Sequence, residues 1–190
     1  MKNKLVTAGV DEVGRGCLAG PVVSAAVILK EGINLDLLKD SKKITFKKRI
    51  EISEHIKSYS HYAIGLASVD EILDLNILQA SLLSMKRALE QLTVKPDLTL
   101  IDGNFAPSGL KNYKTIINGD KKVKVISAAS IIAKVYRDNL MIKLSEKFSN
   151  YAWESNFGYG TKAHLDGLKK YGVTSHHRKG FKPIHKILSN

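Results

Sequence analysis

The sequence predicts an α/β fold, a mixed sheet with helices on both faces. Three observations carry that expectation. Short β-branched and apolar segments alternate with stretches whose apolar residues recur every three and four positions. Three strands, or the turns that follow them, end in an acid: Asp11-Glu12, Asp102 and Asp120. Beyond residue 150 the chain changes character, with Trp153, Tyr159, most of the histidines and short helical pieces, which predicts a small helical lobe.

Each element follows from local signals. Residues 5–12 alternate and form a first strand, and Val22–Leu29 (VVSAAVIL) forms a second after the turn at Gly20-Pro21. Thr45 caps a helix to about Ser58, with Ile50, Ile52 and Ile56 among its apolar positions. His61–Val69 alternates as a third strand. Asp70 then caps a long helix to about Leu92, along which Ile72, Leu75, Leu78, Leu82, Met85 and Leu89 recur at helical spacing. After Lys95-Pro96, DLTLID is a short buried strand ending at Asp102. YKTII is another, ending in the turn Asn118-Gly119-Asp120. Ser127 starts a helix to about Phe148, and Thr161–Tyr171 and Pro183–Leu188 are short helices. The chain therefore divides into a core of residues 1–150 and an extension of residues 151–190, expected to form one compact unit.

Composition narrows the function. The 190 residues and 44% hydrophobic content suit one domain with a real core. The longest apolar runs, Pro21–Leu29 and Ser127–Ala133, are too short to span a membrane, and acids arrive by residue 11 with no apolar leader before them. A single cysteine, Cys17, excludes a disulfide framework. These features point to the cytoplasm. Thirty Lys plus Arg against 18 Asp plus Glu give a net charge of +12, which attracts polyanions. Many of the cations sit in short runs, in Asp40–Arg49 and Lys121–Lys124, a pattern suited to phosphate contact.

The carboxylates supply the chemistry. Strand ends are where loops gather and sites form. Acids brought together at one sheet edge repel one another unless a cation sits among them. An all-oxygen cluster suits Mg²⁺ or Mn²⁺ rather than zinc. With a basic surface, it points to a metal-dependent nuclease using two divalent cations. Because adjacent strand residues face opposite ways, Asp11 and Glu12 can share a metal pair only if the strand bends, which Gly14 and Gly16 would permit. Gly14–Ala19 also matches the G-x-G-x-x-A dinucleotide fingerprint, but a strand rather than a helix follows it and the neighbouring acids would repel a pyrophosphate.

Taken in order, GVDEVGRGCLAGPVVSAAVIL, DSKKIT, LIDGN, NGD, ISAASIIAKVYRD and the GYGT…H…YG…HHR…F segment resemble the bacterial ribonuclease HII family, the type 2 ribonucleases H. The resemblance spans Ala8 to Phe181 and implies a ribonuclease H-like fold, with a five-stranded mixed sheet and a C-terminal helical extension. It implies a monomeric endonuclease acting on RNA–DNA hybrids and on duplex DNA containing single ribonucleotides, with Mn²⁺ or Mg²⁺. Asp11, Glu12, Asp102 and Asp120 would be its catalytic and metal-holding acids, Asp138 being a rival for the fourth place. Gly14, Arg15 and Gly16 would read the ribose and Tyr159 would stack on the sugar at the RNA–DNA junction. Ser41, Lys42, Asn104, Ser127, Ser130 and Lys134 would contact backbone phosphates. Cys17 stands where many relatives carry proline and reads as a small buried hydrophobe. His164, His176 and His177 read as structural or phosphate-facing rather than as a metal set. The alternatives are a junction nuclease of the same fold, a non-catalytic hybrid-binding protein, and the related ribonuclease HIII.

Overall fold

A five-stranded sheet in the order β3-β2-β1-β4-β5 carries the structure, a computed structural model that describes residues 5–38 and 45–189. Its strands are β1 (Thr7–Val13), β2 (Val22–Leu29), β3 (Ser60–Ala67), β4 (Leu98–Asp102) and β5 (Tyr113–Ile116). The first three form an antiparallel meander, while β4 and β5 run parallel to β1. The sheet is thus mixed and five-stranded, as the resemblance implies. The helices are α1 (Phe46–Ser58), α2 (Val69–Glu90), α3 (Gly119–Lys122), α4 (Lys124–Ser145), α5 (Trp153–Asn156), α6 (Lys162–Tyr171) and α7 (Lys182–Leu188).

The two long helices cover opposite faces. α4 lies on β1 and β2, and α2 lies on β2 and β3. β2 is buried on both faces, which is why VVSAAVIL reads as an unbroken apolar run rather than an alternating one. Ala25 and Val27 pack with Ile52, Ile56 and the α4 residues Ala128 and Ile132. Their neighbour Ala26 packs with Val10, Ile101, Met85 and Ala88 on the other side. Two glycines let the helices come close. A Cβ on Gly9 would run into the Val125 carbonyl of α4, and one on Gly65 would run into the backbone of α2 at Ser84 and Ala88.

Three boundaries differ from the sequence reading. Strand β3 stops at Ala67, and Ser68 rather than Asp70 caps α2, through a capping box with Glu71. Arg87 reaches back to the same Glu71, Nη2 to Oε1 at 2.6 Å, and the paired guanidinium lowers that carboxyl to about 2. Second, α2 is broken at Asn76, whose φ of 70° is left-handed. The Asn76 side chain accepts from the Leu78 and Gln79 N–H groups at 2.9 and 3.1 Å, restarting the helix as a cap would. Third, α4 begins at Lys124, not Ser127, and the expected Asn118-Gly119-Asp120 turn becomes a left-handed Asn118 followed by the one-turn helix α3.

The C-terminal helices share a core with the sheet's loops. Tyr151, Trp153, Leu168 and Ile184 pack with Leu18, Ala19 and Met141. Inside this core lies a chain of hydrogen bonds. The Thr174 N–H donates to His177 Nδ1 at 2.9 Å, so His177 carries its proton on Nε2, facing His164 Nε2 at 3.0 Å. His164 Nε2 therefore accepts, and also accepts from Trp153 Nε1 at 3.1 Å, while His164 Nδ1–H donates to the Tyr159 carbonyl at 2.9 Å. Every donor meets an acceptor only when both rings are neutral. His164 and His177 are thus buried members of a packing network, while His176 lies half-buried outside it.

Burial and the neighbouring His164 push His177 down to about 4 from an ordinary 6.5. The unfolded chain takes up that proton below 6.5 while the folded one does not, so the stability this ring contributes is lost as pH falls from 6.5 toward 4. In an NMR titration of the imidazole protons, His177 is expected to titrate near 4. A midpoint near the ordinary value would mean the ring is not held neutral.

Candidate active site

Where β4 leaves β1, the sheet opens. The parallel pairing ends at Val10 and Ile101, so the next step of the register sets Asp102 beside Asp11 at the carboxyl ends of both strands. Asp102 Oδ1 accepts from the Gly119 N–H at 2.6 Å, tying the end of β4 to α3 and bringing Asp120 alongside. A cavity of about 420 Å³ lies here, lined by all four acids with Gly14, Arg15, Gly16, Ser130, Lys134 and Tyr159.

The expected bend between Asp11 and Glu12 does not occur. β1 keeps regular pairing with β2 through Val13, and the chain turns only at Gly14, whose φ is 95°. Both carboxylates still reach one cavity because β4 no longer flanks β1 beyond Val10, leaving the edge open beside them. Glu12 meets Arg15 across the turn, Nη1 to Oε1 at 3.2 Å.

Burial sets the electrostatics. It raises the Asp11 carboxyl well above its ordinary range, reinforced by the charges of Glu12 and Asp102 and opposed by a hydrogen bond with Ser130. Glu12 is raised too, chiefly by burial, with Arg15 opposing. Among the described residues, no three His, Cys, Asp or Glu side chains close into a finished metal shell. The acids instead line an open wall of oxygen donors whose mutual repulsion a cation would relieve. Such a wall fits a hard divalent ion that keeps much of its water and needs few carboxylates.

The remaining predicted residues fall into three groups. Ser130, Lys134 and Tyr159 lie at the cavity with the Gly14–Gly16 loop. Lys134 Nζ is 2.7 Å from Asp138 Oδ1 and stands over the Phe157 and Tyr159 rings at 4.8 and 5.8 Å. Asp138 is fully buried beneath that lysine and does not line the cavity, whereas Asp120 does. Ser127 is also turned away, buried with its hydroxyl donating to the Leu38 carbonyl at 2.9 Å, because it sits one turn inside α4 rather than at its start. Asn104 is exposed outside the cavity lining, and Ser41 and Lys42 lie outside the described residues.

Two cations at the site lie outside the sequence-predicted set. Arg49 lines the cavity, and its spacing from Ile52 and Ile56 puts it on the inward stripe of α1, unlike its neighbours Lys47 and Lys48. Arg137 is fully buried. Its Nε, Nη1 and Nη2 groups donate to the carbonyls of Pro21, Phe157 and Ala19 at 3.0, 2.8 and 2.9 Å. It also packs against Gly14, where an added Cβ would collide with the guanidinium. Nothing in the local sequence separates this arginine from a surface one.

The fold and this oxygen-lined opening define a metal-dependent endoribonuclease of the ribonuclease H class. The family model described as Ribonuclease HII matches residues 8–186, and the chain belongs to that family. Ribonuclease HII of Pelagibacter ubique strain HTCC1062 is 57% identical over 185 residues, covering 96% of this chain and 99% of the relative. The ribonuclease H2 of Pyrococcus horikoshii OT3 superposes with a TM-score of 0.80 at 29% identity, covering 96% of this chain and 97% of that one. Bst-RNase HIII in complex with Mn²⁺ shares the fold, with a TM-score of 0.77 at 19% identity over 97% of this chain and 70% of that one.

The two loop glycines separate packing from function. Gly14→Ala meets Arg137 and a left-handed backbone, and is expected to cost about 1–3 kcal/mol in chemical denaturation. Gly16 has open space around its missing Cβ and an ordinary φ, so Gly16→Ala should leave the thermal midpoint unchanged. Equal destabilisation of the two variants would contradict this geometry.

Proposed function

We propose that the protein hydrolyses the RNA strand of RNA–DNA hybrids and cuts duplex DNA on the 5′ side of single embedded ribonucleotides, leaving 3′-hydroxyl and 5′-phosphate ends. One observation carries the reading: the acids, the exposed Gly16 backbone and the Tyr159 ring share a single cavity. Family membership supports activity on RNA–DNA hybrids. The Mn²⁺ bound by a protein of the same fold supports a divalent cation.

Asp11, Glu12, Asp102 and Asp120 would hold two divalent ions, Mn²⁺ or Mg²⁺, which when bound supply an activated water and stabilise the leaving oxygen. The protein groups do the rest. Ser130, which lines the cavity with Asp11 and lowers its carboxyl, would help to orient it beside the Glu12 N–H that donates to its Oδ1 at 2.7 Å. Gly16 lets the backbone approach a sugar edge, where a 2′-hydroxyl distinguishes RNA from DNA. Tyr159 is 38% exposed at the cavity, and burial with the Cys17 contact keeps its phenol protonated, ready to stack and donate. Lys134 and Arg49 supply positive charge for the scissile phosphate's neighbours, and the +12 surface holds the rest of the duplex. A monomer working in the cytoplasm completes the proposal. No helix among the described residues is long and apolar enough to cross a membrane.

The deciding experiment is cleavage of a labelled DNA duplex containing one ribonucleotide, with Mn²⁺ or Mg²⁺, beside an all-DNA duplex. A single cut 5′ of the ribonucleotide is expected. Asp102→Asn should lower kcat by about 10³-fold, the scale of several kcal/mol of lost charge stabilisation, and chelation should abolish cleavage. Gly16→Ala should lose cleavage while keeping its fold. Equal cutting of the all-DNA duplex would favour the junction-nuclease alternative. Duplex affinity should also fall steeply with salt, with a log–log slope of about −0.9 per phosphate neutralised. A flat dependence would remove the role given to the basic surface.

A further inference from the structure

The C-terminal segment reaches into the catalytic loop through one buried cation. Arg178 is 1% exposed. Its Nε–H donates to the Gly20 carbonyl and its Nη1–H to the Arg15 carbonyl, both at 2.9 Å. Its backbone N–H donates to the Leu18 carbonyl at 2.8 Å, and the Gly20 N–H returns a bond to the His176 carbonyl at 2.9 Å. Residues 15–20 are thereby stitched to residues 176–178, with an isolated bridge between Ala19 and His177. No carboxylate pairs with Arg178 among the described residues, so two backbone carbonyls stand in for part of its lost hydration, with Nη2 left without a hydrogen-bond partner. Burial lowers it to about 10, and it remains cationic at neutral pH.

The bond to Arg15 has a directional consequence. A trans peptide is planar, so the Arg15 carbonyl and the Gly16 N–H point in opposite directions. Fixing the carbonyl inward on Arg178 turns the Gly16 N–H outward. Gly16 is exposed and lines the cavity, and its N–H donates to no backbone carbonyl among the described residues. We infer that Arg178 is a positioning residue for ribose selection: by pinning the Arg15 carbonyl it presents the Gly16 N–H as a fixed donor to the 2′-oxygen of the nucleotide in the cavity. The inference rests on the proposed ribonucleotide-directed activity and goes further, placing the determinant of sugar choice in the C-terminal segment. Arg137 donates to the Ala19 and Pro21 carbonyls of the same loop and makes no hydrogen bond to the Arg15 carbonyl.

The test compares kcat/KM on a duplex carrying one ribonucleotide with kcat/KM on the same duplex carrying a 2′-fluoro nucleotide, a weak acceptor. This ratio does not depend on what fraction of a variant is folded. Arg178→Lys keeps the charge but cannot span two carbonyls with a fork, and Arg178→Gln removes the charge. Both are expected to lower the ratio about tenfold, the scale of one hydrogen bond to the sugar. In the unmodified protein, the ¹⁵N-labelled Gly16 amide should shift on adding the ribonucleotide duplex and stay in place with the all-DNA duplex, which needs no variant to fold. A wild-type ratio kept in both variants would make Arg178 merely structural and overturn the inference, whatever happens to the absolute rate. So would a Gly16 amide indifferent to the ribonucleotide. A wild type that does not distinguish the two sugars would instead overturn the proposed function, and with it the role of Arg178.

Discussion

The close seating of α4 on β1 is the constraint on which the rest of the molecule depends. It is possible because Gly9 has no side chain to hold the Val125 carbonyl away. Once seated, one helix serves every part of the site. Ser130 meets Asp11, Lys134 enters the cavity, Arg137 ties down the loop after β1, and Met141 enters the core of the C-terminal helices. Their positions recur at three- and four-residue steps, so one stripe of α4 runs from the carboxylates to the C-terminal lobe. A shift of that helix would move all four contacts together.

Charge is distributed around this frame by opposite means for the two signs. The acids are gathered at an opening, where burial raises Asp11 and Glu12 and the neighbouring carboxylates add to it. The arginines are placed behind the opening and hydrogen-bonded to carbonyls, Arg137 through all three nitrogens and Arg178 through Nε and Nη1 only. Arg137 takes three and Arg178 two, all but one of them in residues 15–21. The anionic wall thus stays available to cations, while the buried cations spend their hydrogen bonds on loop shape. Leaving a buried guanidinium without acceptors costs several kcal/mol, which makes the loop conformation and the two arginines mutually dependent.

Much of this was legible in residue patterns. The five strands follow from short alternating or wholly apolar runs and the long helices from three- and four-residue spacing, and the acids stand out because three strands or their turns end in one. The misreadings share a cause. Asp70 and Ser68 are both good caps, and the choice fell to Ser68 because Glu71 completes a capping box. Asn76 looked like an interior position, yet its amide side chain captured the next two N–H groups and broke the helix. Ser127 looked like a helix start, but α4 begins one turn earlier, which rotates the hydroxyl into the core toward Leu38. In each case the local signal was overridden by a side-chain contact that the pattern of apolar residues does not record.

By itself the sequence determined the mixed α/β class, the acids at the ends of the first and fourth strands, the glycine loop and a surface charged for polyanions, because each is written in residue type at short range. Only the tertiary structure decided that Glu12 shares the cavity without a strand bend, that Asp120 rather than Asp138 lines it, and that Arg49 faces inward. It alone showed that residues 137 and 178, distant in the chain from residue 15, shape the loop. Those outcomes depend on where β4 stops flanking β1 and on which carbonyls a buried guanidinium can reach. Both are set by contacts between segments far apart in sequence, which short-range residue patterns do not record.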